Sequence, residues 1–282
     1  MLVLLVLAAL VTAGSPLRRA LGLVLALPAF ALPFLAESTL ARTILAAASF
    51  WGFARLIDLA REPRPLTPLH RAVHVLAVVD SRRVTFSHPR LDLRSFGRAA
   101  LAGAAGYLAL WTAHTHAPDP GPLRWLAGLV FMYGFAELLA GLLHALGGLV
   151  GAEFPPIHRH PILARSLRDF WGERWNLVVN RWLRQHCFVP LARRGRAGVG
   201  LALAFAVSVL LHAWIVAAAL DAEMVGWTAA FFALQGALLG IEGPLKVSRW
   251  PRPLARAWAL GWTIGPSPLF TEPMLRMFAE LV

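Results

Sequence analysis

Charge is scarce in this chain. Only 15% of its 282 residues are Asp, Glu, Lys or Arg, against about a quarter in an ordinary soluble domain. Its one cysteine, Cys187, excludes an intramolecular disulfide and a cysteine-based metal site. It has no H-E-x-x-H, G-x-S-x-G, Walker or dinucleotide-binding glycine sequence. These absences argue against a zinc protease, a serine hydrolase and an ATP-driven pump. His70, His74, His88, His158, His160 and His186 fall in basic connecting segments, and no metal is expected. Internal repeats and low-complexity tracts are also missing.

What is present is apolar and comes in blocks. Hydrophobic residues make up 58% of the chain. They gather at about 20–36, 39–60, 99–116, 123–150, 198–220 and 224–242, with a short block from Leu2 to Ala13 and a less regular one from about Leu254 onward. A membrane-crossing helix needs roughly 20 predominantly apolar residues. The blocks therefore predict an all-α fold: a polytopic transmembrane bundle of about eight spans, forming a single domain over 1–282. Arg18 and Arg19 follow the first block instead of preceding it, so residues 1–14 read as a short or tilted span and not as a signal peptide.

The formal charge is +12, from 27 basic and 15 acidic residues. In a soluble protein this balance would suggest nucleic acid. Here 23 of the 27 basic residues lie in alternate connecting segments: Arg18 and Arg19, then Arg61 to Arg98, Arg159 to Arg196, and Lys246 to Arg256. The intervening segments carry Glu37, Asp119, Asp221 and Glu223, with Arg42 and Arg124 nearby. That asymmetry places the basic segments in the cytoplasm and the N-terminus outside. The partners it implies are membrane lipids and phosphorylated ligands, with no nucleic acid.

Two basic segments are longer than simple connections. Residues 61–98 contain four prolines and predict a short strand or helix around Ala72–Val79. Residues 166–185 predict an amphipathic helix, with Ser166 and Asp169 as an S-x-x-D start. On a helical wheel Leu167, Trp171, Trp175, Val178 and Trp182 share one face, suited to the bilayer interface. Asp169, Glu173, Asn176 and Asn180 share the other, which requires water, a polar ligand or a partner.

His212 is the sharpest chemical candidate. It interrupts the 198–220 block, and polar groups inside spans tend to be retained for function. Ser208 precedes it by four residues, on the same helix face. Catalysis and helix–helix adhesion through the Ser–His pair both fit this placement. Asn176 could donate a hydrogen bond to a carbonyl or be merely solvated. Glu137 and His144, two turns apart on one face, fit either a structural polar pair or a proton path. His114 and His116 lie near a span end.

The stretch from Pro155 to Asn176, PPIHRHPILARSLRDFWGERWN, resembles the signature of the wax synthase branch of the membrane-bound O-acyltransferases. That signature runs S-L-x-x-F-W-G-x-x-W-N and is followed, one basic segment later, by a span with S-x-x-x-H; Ser208 and His212 match the latter. Arg55-Leu56-Ile57-Asp58-Leu59 is similar to the family's early R-x-x-D-L element, and Ser267 to Arg276 to its closing segment. The closest likeness covers residues 153–215. Val209 and Ala213 depart from the family's common Gly and acidic residue. The resemblance implies an enzyme that transfers a fatty acyl group from acyl-CoA, as co-substrate and with no resident cofactor, to a hydroxyl acceptor, most simply a long-chain alcohol. It carries His212 and Asn176 over as catalytic, and Asp169, Trp171, Arg174, Trp175 and Ser208 as substrate-binding. The CoA phosphates are expected near Arg168, Arg174, Arg181 or Arg184. The alternative within the same chemistry is a sterol, a diacylglycerol or another hydroxyl acceptor. A transporter using Glu137, His144 and His212 is the rival of a different class, although the chain lacks the paired halves common in transporters.

Overall fold

In the computed structural model, which describes residues 1–282, the chain is an all-α bundle with one two-residue strand pair. In order it forms α1 (Leu2–Val11), α2 (Pro16–Ala26), α3 (Thr39–Arg61), α4 (Pro68–Leu76), strand β1 (Thr85–Phe86), α5 (Leu93–Thr115), α6 (Pro122–Leu149) and strand β2 (Ala152–Glu153). It continues with α7 (Leu167–Asp169), α8 (Leu177–Leu183), α9 (Val189–Ala192), α10 (Ala197–Ala219), α11 (Ala222–Glu242), α12 (Arg252–Ile264) and α13 (Pro268–Met277). β1 and β2 pair antiparallel, with Thr85 opposite Glu153.

Five helical segments are long and apolar enough to cross a membrane: Pro16–Leu35, α3, α6, α10 and α11. The protein is therefore an integral, multi-pass membrane protein. The 23 residues of α10 are about 34 Å long, enough for the hydrocarbon layer. Pro16–Leu35 is α2 extended by two short turns, each carrying a proline, Pro28 and Pro33, near its start. Short apolar α1 reaches ten residues only. α5 is as long as α3 but carries Arg94 and Arg98 at its start.

Helix packing follows from small residues and buried polar ties. α5 and α6 cross where Gly106 meets Gly134; a Cβ at Gly134 would sit 2.2 Å from the Ala102 carbonyl oxygen, so no side chain fits there. The largest core cluster joins Leu110 and Ala113 of α5, Phe131 of α6, Val216 of α10, Met224 of α11 and Leu275 of α13. Arg124, one of the few cations in the sparsely charged segments, is buried at the start of α6. It donates to Glu272 of α13 at 2.8 Å and to the Ala113 carbonyl at 2.9 Å. α4 closes the end of α1, where Arg71 donates to the carbonyl of Ala9 and the hydroxyl of Thr12.

Two expectations need correction. The short strand or helix expected around Ala72–Val79 is a helix that begins earlier, at Pro68 behind a Thr67 cap, and ends at Leu76, which places His70 and His74 one turn apart. Both rings engage the Ser81 hydroxyl. The second concerns 166–185, which is not one continuous amphipathic helix. Ser166 does cap its start, accepting from Asp169 N at 2.9 Å. Three α-helical residues then pass into a wider π-turn over Phe170–Arg174. Trp175 is extended, and Asn176 takes a left-handed conformation at φ 41° before α8 begins. A second π-turn, Arg184–Phe188, leads into α9. The extended residue and the extra residue in each π-turn reset the rotation, so the wheel fails beyond Asp169. Its apolar residues turn into the protein: Leu167 packs on Leu238 and Leu239, and Trp182 sits beside Ala54.

Candidate functional site

His212 lies fifteen residues into α10, about 23 Å along the helix axis. Its Nδ1 is 2.8 Å from the backbone carbonyl oxygen of Ser208. A carbonyl only accepts, so Nδ1 carries the hydrogen and Nε2 keeps its lone pair. The partner is therefore the Ser208 backbone; its hydroxyl does not reach the imidazole. Nε2 has no hydrogen-bond partner within the protein and is not among its sealed, unpartnered polar atoms. The ring stacks on Phe232 of α11, with centroids 3.8 Å apart at 23°, and meets Phe270 of α13 edge-on at 5.6 Å. Phe231 stacks on Phe270 in turn, 5.4 Å away. Three helices thus enclose one imidazole in an aromatic nest that leaves its second nitrogen open.

The signature segment docks beside this nest. Trp171 packs against Phe232 at 5.9 Å and against Phe205 and Phe231 at 6.4 Å. Its indole donates to Gln235 at 3.0 Å, and Gln235 donates to the Trp262 carbonyl. Phe170 meets Trp171 at 5.0 Å and stacks on Trp175, which lies 4.8 Å from the His158 ring. Aromatic contacts therefore run unbroken from His158 through Trp175, Phe170, Trp171 and Phe232 to His212.

Asn176 is the cap of α8. Its Oδ1 accepts from Val179 N at 3.4 Å, and its own N–H donates to Nδ1 of His158 at 3.2 Å. The amide Nδ2 makes no bond within the protein and remains a free donor. Burial pushes the His158 imidazole below the usual histidine range, which keeps Nδ1 available as an acceptor. Asn180 donates to the Trp171 carbonyl at 2.6 Å and holds the π-turn closed. The polar face expected to meet water or ligand thus ties the segment to itself.

The remaining sequence candidates divide. Asp169 accepts from Arg174 at 2.9 Å and from the Arg165 backbone, while Arg174 also donates to the carbonyls of Arg159 and His160. Arg181 donates to the Pro156 carbonyl, and Arg184 lies 3.9 Å from Glu173. Of the four arginines considered for phosphate, exposed Arg168 alone has no such engagement. Glu137 and His144 line a separate cleft of about 960 Å³ with Tyr133 and His158, between α5, α6 and residues 152–160. His212 is not on its wall.

Glu242 and Gln235 escaped the sequence reading. Glu242 accepts from the backbone of Leu167 at 2.6 Å and of Arg168 at 2.9 Å, and from the Trp258 indole. It anchors the start of the signature segment on α11. Both are polar residues inside an apolar block, the signal that singled out His212, and that rule applied to 224–242 would have found them.

Residues 154–234 match the Membrane bound O-acyl transferase family. The matched stretch contains the signature, Asn176, Ser208 and His212. The chain is also similar to the probable long-chain-alcohol O-fatty-acyltransferase 1 of Arabidopsis thaliana, 33% identical over 117 residues, or 39% of this chain and 34% of that protein. With the probable long-chain-alcohol O-fatty-acyltransferase 2 of the same plant it shares 30% identity over 171 residues, 54% of this chain and 50% of the relative. With the long-chain-alcohol O-fatty-acyltransferase of Simmondsia chinensis it shares 32% over 109 residues, 34% and 30% respectively. The matched stretches span half the length of these relatives or less. The resemblance to the wax synthase branch is borne out over this region.

Proposed function

We propose that this protein is a membrane-embedded O-acyltransferase that moves a fatty acyl group from acyl-CoA to a long-chain alcohol, giving a wax ester. The observation that carries the reading is the fixed tautomer of His212: its Nδ1–H is committed to Ser208, and an unprotonated Nε2 opens from an aromatic nest, with His212 itself inside the matched region. The long-chain-alcohol acyltransferases similar to this chain supply the substrate class.

In the proposed reaction the alcohol oxygen attacks the thioester carbonyl while its proton passes to Nε2 of His212. General-base help of this kind is typically worth about 10²–10⁴-fold. The tetrahedral intermediate then collapses, the C–S bond breaks, and the thiolate of CoA takes the proton back from His212. The free Nδ2 of Asn176 is the candidate donor to the developing oxyanion. Trp171, Trp175 and Ser208 belong to the walls that exclude water, which limits thioester hydrolysis. Asp169 and Arg174 hold the π-turn. Exposed Arg168 is left as the candidate contact for a CoA phosphate.

In the same reading the basic segments face the cytosol, where acyl-CoA arrives, and the alcohol enters from the bilayer. Eight crossings then comprise α1, Pro16–Leu35, α3, α5, α6, α10, α11 and the α12–α13 pair. The placing of 23 of the 27 cations in alternate segments supports that orientation. The separation of Glu137 and His144 from His212 weighs against one transport path through all three.

The test is an acyl-transfer assay on membranes containing the protein, with labelled acyl-CoA offered alongside a fatty alcohol, a sterol or a diacylglycerol. The expected product is the alkyl ester. An ester formed on sterol or diacylglycerol alone would replace the acceptor, and no ester with any of them would refute the reaction.

A further inference from the structure

The two candidate catalytic residues sit on elements that meet one common helix. Near the middle of α3, the carbonyl of Ala46 accepts from the indole of Trp214, two residues beyond His212, at 3.2 Å. Two turns further on, the carbonyl of Ala54 accepts from the indole of Trp182 in α8, the helix that Asn176 caps, at 3.0 Å. Ala46 and Asp58 are separated by about 18 Å along α3. A hydrogen-bonded helix of that length fixes the distance between what it holds at these two points.

The cytosol-side end of this rod is built around Asp58, 1% exposed. Arg61 donates to Nδ1 of His186 at 2.9 Å, so Nε2 of His186 carries the hydrogen. That Nε2 lies 2.6 Å from Oδ1 of Asp58. Arg55 donates to Oδ2 of the same carboxylate at 2.9 Å. Arg82 lies 3.4 Å away and His74 also 3.4 Å. Arg82 in turn pairs with Glu62 and Asp80. Three stretches therefore converge on one buried carboxylate: α3, the segment from His74 to Arg82 that follows it, and, far along the chain, the π-turn Arg184–Phe188. The π-turn also touches α10 directly, because a Cβ at Gly200 would lie 2.8 Å from the Phe188 carbonyl oxygen.

We propose that Asp58 is a positioning residue: through His186 it pins the π-turn that follows α8, and with it the helix that Asn176 caps, to α3 and so sets the spacing between Asn176 and His212. Its catalytic consequence rests on the acyl-transfer reading above. Carboxylate and imidazole are suited to this because a charge-assisted hydrogen bond from a neutral imidazole to a buried carboxylate is short and directional. Arg55 and Arg82 balance the charge of Asp58, so the pin survives burial.

The protein carries its own reporter. Cys187 is its single cysteine, is 5% exposed and follows His186 immediately. In membranes holding the full chain, the rate at which N-ethylmaleimide labels Cys187 reads the undocking of the π-turn. Two variants are compared with wild type: His186→Gln, which leaves the Arg55–Asp58 pair intact, and Asp58→Asn. Both are expected to label about tenfold faster or more. In the transfer assay both are expected to raise the ratio of acyl-CoA hydrolysis to alcohol transfer, a quantity independent of how much enzyme is folded. Unchanged labelling in both variants overturns the pin. Faster labelling with an unchanged ratio overturns the positioning role. A wild-type protein without transferase activity would refute the proposed reaction, and the labelling rates would still decide whether Asp58 holds the segment.

Discussion

His212 hydrogen-bonds the backbone carbonyl of Ser208, one helical turn before it, at 2.8 Å. Since a carbonyl cannot donate, this contact fixes which nitrogen is protonated and turns the other toward the space beside Phe232 and Phe270. The helix backbone itself selects the tautomer with no carboxylate behind the imidazole, and the Phe232 face steadies the ring plane. Ser208→Ala is accordingly expected to retain transfer within a few-fold, since the orienting oxygen belongs to the backbone. A loss of a hundredfold at equal expression would show that the hydroxyl takes part.

Phe232 stacks on the imidazole face at 3.8 Å. Phe232→Leu keeps the span apolar but frees the ring to rotate. Transfer should fall about tenfold or more from lost orientation, with expression unchanged. Initial rates in membranes at matched protein level check this.

Asn176 has two separable duties, since its backbone is left-handed and its side chain caps α8. Asn176→Gly permits that backbone at little cost and removes the amide. The protein should stay folded while transfer drops about a hundredfold, the scale of losing one oxyanion donor. Full activity in the Gly variant would reduce Asn176 to a cap. Asn176→Ala should be less stable than Asn176→Gly, because Ala disfavours the left-handed region.

The Arg124–Glu272 pair is buried between α6 and α13. Glu272 also accepts from Arg276 at 3.0 Å, so removing Arg124 leaves that carboxylate one partner and should cost less than the about 3–5 kcal/mol of a charge left wholly unpaired, whereas removing Glu272 strands Arg124. Arg124→Ala is expected to lower the melting temperature of the solubilised protein markedly. Replacing both residues by Met and Leu should recover most of the loss.

His158 supplies the pH-dependent contact. Burial lowers its folded-state affinity for a proton below the ordinary value of 6.5. The unfolded chain thus binds the proton more readily, and stability from this group is complete above about 6.5 and declines as pH falls through the folded value. Protonating Nδ1 also removes the acceptor for the Asn176 N–H. Melting measured between pH 7.5 and 5 should show this loss, and His158→Asn should flatten it.

The spans were legible in the sequence because an apolar run is a local property. The blocks at 39–60, 123–150, 198–220 and 224–242 became Thr39–Arg61, Pro122–Leu149, Ala197–Ala219 and Ala222–Glu242. His212 was legible because a polar group in such a run stands out. The break at Trp175–Asn176 was not, because its causes are distant: His158 receives the Asn176 N–H, and Glu242 anchors Leu167 from α11. A helical wheel assumes one uninterrupted rotation and cannot register two π-turns. The role of Asp58 was invisible for the same reason, since its partner His186 lies far along the chain. The aromatic nest likewise draws its rings from α11 and α13.

The most direct test is the His212→Ala variant in membranes at wild-type expression, with alkyl ester formed from labelled acyl-CoA and a fatty alcohol as the readout. The base role predicts a fall of about 10²–10⁴-fold. Ester formation within a few-fold of wild type would contradict it.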